Sequence, residues 1–327
     1  MKANILKLLK NTNDYISGQQ LCETFHVSRT AIWKVINQLK EEGYVIDSVK
    51  NKGYKMISAP DILSESEIVS SLSLHNAEYV NRVVYLDEID STNTRAKLEA
   101  EQGAPAWTLV VADKQISGKG RRGRSFDSPS GVGIFMTLIL KPDFNPNQAS
   151  MITLISGMAV CRGIKEATGL DTQIKWPNDI VIHGKKVCGI LTEMSAEMEC
   201  INYIVVGIGI NVNNQDFPEE IAKIATSIRL ETKQQANRSD IIACVIKHFK
   251  QYYDIFIQTN DLSQLKEEYN SMMINREKKV LVIRGDEQYE ALAKEIDDDG
   301  ELIVERDGIL MKVMSGEVSV RGVYGYV

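Results

Sequence analysis

No stretch of the 327-residue chain approaches the roughly 18 consecutive apolar residues that a membrane-spanning helix requires. The amino terminus, MKANILKLLKNTND, turns polar before a signal-peptide core develops, so a cytoplasmic protein that meets no membrane is expected. Cysteine is scarce and unpatterned. Cys22, Cys161, Cys188, Cys200 and Cys244 are odd in number, form no C-x-x-C pair and mostly sit in apolar periodic segments, which predicts buried free thiols. His26, His75, His183 and His248 lack the short spacings of zinc sites, so no metal centre built from protein side chains is expected. Neither the Walker phosphate loop nor the Rossmann glycine pattern occurs. Long disordered tracts are excluded by ordinary globular composition, 43% hydrophobic and 25% charged, and the length fits two or three domains.

Charge is distributed unevenly. Residues 1–60 carry eight lysines and one arginine against five acids, a net of +4, whereas the remainder carries −10 of the overall −6. A basic head on an acidic body points to nucleic-acid contact confined to the head. There Ser17 can cap a short helix over 19–25, His-Val-Ser makes a turn, and Ser28 can cap a second helix to Glu42, stopped by Gly43. Ile32, Val35, Ile36 and Leu39 share one face of the second helix, and Thr30, Trp33, Lys34 and Asn37 project from the other. Two extended segments, YVIDSV and YKMIS, flank a basic turn, Lys50-Asn51-Lys52-Gly53. This is a winged helix-turn-helix pattern, with Ser28, Arg29, Thr30, Trp33, Lys34, Asn37, Lys50 and Lys52 as the expected DNA contacts. Trp33 either packs on a sugar or thymine methyl or covers the first helix. Pro60 marks a linker, and Ser64-Glu-Ser-Glu67 opens a new helix with a capping-box pattern, placing a boundary near residue 62.

From residue 80 to about 212, strands such as VVYLDEI, WTLVVAD, GIFMTLIL, TQIKW, VCGILTEM and YIVVGIGI alternate with helices, the longest of these from Ser150 to about Thr168. This predicts a mixed sheet with covering helices. Three segments carry chemistry that packing does not need. Gln115-Ile-Ser-Gly-Lys-Gly-Arg-Arg-Gly-Arg124 interleaves three glycines with one lysine and three arginines. It can cradle a polyanion or serve as a flexible basic surface loop for nucleic acid. Lys175-Trp-Pro-Asn-Asp179 is an extended stretch ending in a turn. Lys186 stands at the entrance of the apolar strand V-C-G-I-L-T-E, as an anion partner or as a snorkelling surface lysine.

These segments, with Asp90-Ser-Thr-Asn93, G-I-G-I-N ending at Asn211 and G-E-V-S-V-R at 316–321, resemble the biotin protein ligase family in its bifunctional form, ligase and biotin-operon repressor, across essentially the whole chain. The resemblance implies that biotin and MgATP give biotinyl-5'-AMP and pyrophosphate, and that a lysine of a biotin carrier domain then takes the biotin. Carried onto this chain, it makes Lys186 and Arg121 the catalytic pair. It places biotin against Ser91, Thr92, Asn93, Gln115, Gly118, Lys119, Gly120, Arg121, Arg122, Gly123, Lys186 and Gly189. The adenylate or ATP would meet Arg121, Arg122, Arg124, Phe126, Lys175, Asn178, Asp179, Asn211 and Arg321, with Asn211 reading adenine and Asn178 and Asp179 near the triphosphate and its Mg2+. Two departures stand out. Lys119 occupies a usual arginine position and cannot form a bidentate fork, and Phe126 stands where many relatives carry tryptophan.

Helices are expected from about Ser239 to Ile257 and on to about Met273, followed by five short strands in about 50 residues. On the strands alone this tail is either a cap on the core or an SH3-like barrel, and the resemblance favours the barrel. The expected fold class is therefore α+β and multidomain: a winged helix-turn-helix (1–62), a class II synthetase-like mixed-sheet catalytic domain (63–274) and an SH3-like β-barrel (275–327). The resemblance further implies operator DNA as a partner and a homodimer when biotinyl-5'-AMP is bound. Two rival readings are a lipoate-type acyl ligase, opposed by the polar Ser91, Thr92 and Gln115, and a non-catalytic ligand-sensing transcription factor, opposed by Lys186 and the three loop arginines.

Overall fold

The computed structural model describes residues 1–198, 200–315, 319–322 and 326–327, with the side chains of 319 and 321 outside that description. The head comprises α1 (Lys2–Asn11), α2 (Gly18–Phe25), α3 (Arg29–Glu41), β1 (Val45–Val49) and β2 (Gly53–Ser58). Ser17 and Ser28 cap α2 and α3, accepting from the backbone amides of Gln20 and Ala31 at 3.0 and 3.2 Å. Helix α1 is an addition to the sequence reading. Its Ile5, Leu6 and Leu9 are buried with Leu21, Ile32, Ile36 and Leu39, and the lysines around them mask that face in the sequence. Ile16 and Tyr54 exchange two backbone hydrogen bonds of 2.9 Å, which lock the wing to the helices. Gly53 permits this approach: its φ is +117°, and a Cβ there would lie 2.0 Å from the Ile16 carbonyl oxygen.

The centre contains α4 (Glu65–Leu74), β3 (Arg82–Ile89), α5 (Thr92–Glu101), β4 (Thr108–Gln115), β5 (Gly133–Leu140), α6 (Ala149–Thr168), β6 (Gln173–Lys175), β7 (Asp179–Ile182), β8 (Lys185–Glu197) and β9 (Cys200–Asn211). Helices α7 (Ile228–Thr232), α8 (Arg238–Thr259) and α9 (Lys266–Met272) follow. Seven strands form one sheet in the order β3-β4-β5-β9-β8-β7-β6; only the β3–β4 pair among them is parallel. Side chains alternate between the two faces with period two. Leu109, Val111, Leu138, Leu140, Ile204, Val206 and Ile208 join the large core with α4, α6 and α8. Val110, Ile139, Tyr203 and Val205 point the other way and pack on Ala96 and Ala100 of α5. Strand β5 is buried along its whole length because both faces are covered, which is why it reads as one apolar run.

The tail forms a five-stranded antiparallel sheet from β10 (Lys278–Arg284), β11 (Glu287–Ile296), β12 (Leu302–Arg306), β13 (Ile309–Val313) and β14 (Ser319–Gly322), in the order β13-β12-β11-β10-β14. It meets the centre through Trp176, buried in the core, whose indole N–H donates to the Gly300 carbonyl at 3.2 Å. Among the described residues no helix is long and apolar enough to cross a membrane. The five cysteines are unpaired, but Cys200 is exposed at the start of β9 and Cys22 is half-buried, unlike the buried Cys161, Cys188 and Cys244. Cys200 lies at the β8–β9 hairpin end, beyond the part of the sheet that helices cover, so its neighbouring apolar pattern overstated its burial.

Two buried charged side chains join head and centre. Glu67, fully buried on α4, takes Lys10 and the Tyr44 hydroxyl (2.5 Å) from the head and the Ser239 hydroxyl (3.0 Å) from α8. Arg238, 2% exposed, pairs with Asp61 of the linker at 3.0 Å and with Asp113 of β4 at 2.8 Å.

Candidate active site

Helix α5 covers only part of its face of the sheet. Beyond its N-terminus the strands continue with Gly207 and Gly209 of β9 and Gly189 and Leu191 of β8, and this uncovered floor carries a pocket, while Thr137 of β5 lies buried beneath Thr92 and Asn93. Ser91, Thr92 and Asn93 overhang the floor from the start of α5, and the Ser91 hydroxyl does not cap its own helix. The glycines make the room. A Cβ at Gly207 would fall 2.1 Å from Asn93 Oδ1, and one at Gly209 would fall 2.8 Å from the Phe126 ring.

One hydrogen-bonded chain orients the polar wall. Lys97 and Asn93 Nδ2 donate to the two oxygens of Glu193 at 2.5 and 2.8 Å. Thr137 Oγ1 donates to Asn93 Oδ1 at 2.7 Å and lies 2.9 Å from Thr92 Oγ1. Thr92 donates its amide to Gln115 Oε1 at 2.9 Å, with its hydroxyl 3.1 Å from the same oxygen, and Gln115 Nε2 donates to Ser128 Oγ at 3.0 Å. Because Asn93 Oδ1 can only accept, the single Thr137 proton is committed to it, and the chain is continuous when the Thr92 hydroxyl donates to Thr137 Oγ1 while the Thr92 amide keeps Gln115 Oε1. Burial would raise the Glu193 carboxyl, but hydrogen bonds from Lys97 and Asn93 outweigh that and hold it below the usual carboxylate range.

The basic loop folds as a tight hairpin. Phe126 N–H donates to the Gly118 carbonyl at 2.9 Å and Gly120 N–H to the Arg124 carbonyl at 2.7 Å. A Cβ at Gly118 would lie 2.4 Å from the Phe126 carbonyl oxygen, so this closure requires glycine there. Arg121 turns inward, donating to Asn178 Oδ1 at 2.8 Å and to the Ser315 carbonyl at 2.5 Å. Its pKa is lowered by burial first, partly offset by Asp179, with Arg122 and Arg124 adding to the depression. Lys186 enters from the opposite side, where its ammonium meets Asp179 Oδ1 at 2.6 Å and lies 5.9 Å from the centre of the Phe126 ring. Its backbone is clamped between Ile224 and Thr226. Burial would raise the Asp179 carboxyl, yet Lys186, Tyr326 and Lys175 hold it below the usual range. Lys175 Nζ stands 3.4 Å from the centroid of the Tyr326 ring.

Arg121, Phe126, Asn178 and Lys186 line both the polar pocket, about 50 Å³, and an adjoining cavity of about 470 Å³ that also meets Arg122, Arg124, Lys175, Asp179 and Tyr326. A second concave surface lies on the head. Arg29 of α3, the start of α2 and wing residues Ser48 to Tyr54 surround a cleft of about 540 Å³. Ser28, Arg29, Thr30, Trp33, Lys34, Lys50 and Lys52 are exposed and Asn37 is half-buried. Trp33, 57% exposed, projects outward rather than covering the first helix.

Residues 85–211 match the Biotin/lipoate A/B protein ligase family, residues 2–55 an HTH domain and residues 277–321 the Biotin protein ligase C terminal domain. The chain is 38% identical to the bifunctional ligase/repressor BirA of Bacillus subtilis (strain 168), over 98% of both chains. The chain belongs to the biotin protein ligase family. The bifunctional ligase/repressor BirA of Escherichia coli (strain K12) is 29% identical over 97% of this chain and 96% of its own. Among solved structures, the biotin protein ligase from Aquifex aeolicus in complex with biotin and ATP superposes with a TM-score of 0.66 at 29% identity, covering 74% of this chain and 99% of that one.

In this member of the biotin protein ligase family, Ser91, Thr92, Asn93, Gln115, Lys119, Gly120, Arg121, Phe126, Asn178, Lys186 and Gly189 converge on the polar pocket. Gly118, Gly123 and Asn211 line neither cavity. Gly118 is taken up by the hairpin closure, Gly123 faces open space, and Asn211 Nδ2 donates to the Thr226 carbonyl at 3.1 Å. Arg321 belongs to β14 by its backbone, and its side chain lies outside the described residues, as does the start of the G-E-V-S-V-R motif at 316–318. Sequence reading did not single out Thr137, Glu193, Ser128 or Tyr326. Thr137 carries a legible signal, as a hydroxyl inside the otherwise apolar run of β5. Glu193 and Tyr326 carry none, because their partners are distant in the chain.

Proposed function

We propose that the protein is an ATP-dependent biotin protein ligase that forms biotinyl-5'-AMP, transfers biotin to a lysine of biotin carrier domains, and with biotinyl-5'-AMP as corepressor represses biotin synthesis and transport genes. The observation that carries the reading is the convergence of Lys186 and Arg121 on a cavity continuous with the polar wall of Ser91, Thr92 and Gln115. That wall offers oriented hydroxyl and amide groups to a neutral ureido ring. The cations stand where a carboxylate must approach an α-phosphate. In the first step a biotin carboxylate oxygen attacks the α-phosphorus and pyrophosphate leaves; in the second the carrier amine attacks the acyl carbon and AMP leaves.

Lys186 and Arg121 offset the negative charge that gathers between carboxylate and phosphate, a preorganised contribution of about 3 kcal/mol for a well-placed donor. Asp179, held ionised, orients Lys186 and is exchanged for substrate oxygens as they arrive. Arg122 and Arg124 take the phosphates, Phe126 packs beside adenine, and Asn211 reads adenine once its amide leaves Thr226. Mg2+ enters with the phosphates of ATP. Both Asp179 oxygens already have partners, Lys186 and Tyr326, so these side chains do not form a ready-made metal cage.

On the head, Arg29, Thr30, Trp33, Lys34 and Asn37 face a major groove while Lys50 and Lys52 neutralise phosphates. Binding of biotinyl-5'-AMP to the basic loop promotes a homodimer that presents two heads to a two-fold operator. Sedimentation with and without biotinyl-5'-AMP tests this, and an engineered monomer that represses normally would sink it. The ligase reading is tested by a gel assay of biotin transfer to a purified carrier domain with MgATP. Transfer is expected from native protein, and severe loss from Lys186→Ala. Lipoate transfer in place of biotin, or biotin-dependent DNA binding without adenylate formation, would overturn it.

A further inference from the structure

We infer that the side of the central domain opposite the catalytic floor carries a divalent transition-metal site, suited to Zn2+, built from His75, Glu166 and Cys244. These residues come from three elements, the C-cap of α4, the last turns of α6 and the second turn of α8, which pack together over the large core. Cys244 Sγ lies 3.4 Å from His75 Nδ1, Glu166 Oε1 lies 4.0 Å from the same nitrogen, and the three candidate ligand atoms all fall within 4.8 Å of one another. Zinc bonds of about 2.3 Å to sulfur and 2.0–2.1 Å to nitrogen and oxygen place tetrahedral ligand atoms roughly 3.3–3.6 Å apart, so small side-chain movements complete the set. Thiolate, imidazole and carboxylate together favour zinc over magnesium or calcium.

The surroundings fit the same reading. His75 Nε2 faces Asp240 Oδ1 at 3.6 Å, just beyond hydrogen-bond reach, so a small approach on metal binding would give the carboxylate–histidine arrangement that fixes which ring nitrogen meets a metal. Asp240 is itself held by the Ser71 hydroxyl at 2.9 Å. The Cys244 thiol is buried, whereas the His75 and Glu166 side chains are 28% and 33% exposed, so the site opens to solvent and leaves a fourth position for water. On the opposite flank, Lys247 and His248 bond Glu166 at 2.8 and 2.7 Å. The Lys247 ammonium competes with an ion for that carboxylate. Metal uptake replaces the Cys244 thiol proton with a metal–sulfur bond and releases one proton to solvent, while the ion's charge and oxidation state stay unchanged. Short sequence spacings do not reveal the set because tertiary packing, not one local motif, brings it together. Glu67, Ser71 and His75 recur every four residues along one face of α4, so the ion would brace the helix whose Glu67 holds Lys10 and Tyr44 of the head.

The test is equilibrium dialysis of the metal-stripped full chain against Zn2+, with Co2+ as a spectroscopic probe. Native protein is expected to bind one Zn2+ per chain at this site and, with Co2+, to show a thiolate-to-metal charge-transfer band. Cys244→Ala should lose both, and His75→Gln should lose the tight equivalent. Asp240→Asn should bind about 10–100-fold more weakly. Lys247→Met should bind more tightly, an outcome that an ion-pair cluster without a metal role does not produce. Should Cys244→Ala fail to fold, His75→Gln, at a partly exposed helix end, decides the matter. Absence of binding by native protein, equal binding by His75→Gln, or weaker binding by Lys247→Met would each overturn the site.

Discussion

Lys186 illustrates how one side chain acquires a role from its neighbours. A lysine at a strand mouth is ordinary, but this one is fixed by its backbone bonds to the 224–226 segment and aimed by Asp179 into the cavity that Arg121 enters from the other side. Replacing it with alanine should lower the single-turnover rate of biotinyl-5'-AMP formation roughly 10²–10³-fold, the usual cost of one preorganised donor. Gly207 permits a sharper test, since any Cβ there displaces Asn93 from Thr137 and Glu193. Gly207→Ala should raise the KM for biotin about tenfold, the worth of one misplaced polar contact, with a smaller change in kcat. Gly123→Ala, in open space though at φ +72°, should change steady-state kinetics far less.

At the scale of elements, the N-terminus of α8 joins three segments. Arg238 ties the linker at Asp61 to β4 at Asp113, close to the start of the basic loop, and Ser239 ties α8 to Glu67. Removing one side of a buried ion pair leaves the other charge unmatched, so Arg238→Met should cost about 3–5 kcal/mol, measured by urea unfolding. Acid should act on Asp240, the next residue of α8, and on the site. Asp179, Glu193 and Asp240 have depressed pKa values because ion pairs and hydrogen bonds outweigh the burial that would raise them. A carboxyl depressed on folding contributes stability that is present above its ordinary value and lost as pH falls through the folded one. The melting temperature should therefore change little with these groups near neutrality and fall below about pH 4. In Glu193→Gln that acid-induced fall should be shallower.

Across the whole molecule, the charge asymmetry becomes a division of surfaces: an exposed basic wing and α3 at one end, and a cation-lined cavity within an acidic body. Lys50→Ala and Lys52→Ala should each reduce the slope of log affinity for DNA against log salt by about 1. Biotin transfer should be unchanged in both variants, since neither lysine meets the catalytic cavities.

Local chemistry determined much of this protein. Caps at Ser17 and Ser28, the stop at Gly43, the period-two strands and the run of β5 are written in neighbouring residues, as are the five strands of the tail. The motifs at 90–93, 118–124, 175–179 and 207–211 likewise named much of the pocket before any fold was known. Tertiary structure decided the rest. It buried α1 despite its lysines, left Cys200 on the surface, turned Asn211 toward Thr226, and recruited Thr137, Glu193 and Tyr326. Helix and strand signals act over three or four residues, through backbone hydrogen bonds and side-chain period. Burial and polar pairing depend on what the sheet order brings close, which no local pattern encodes.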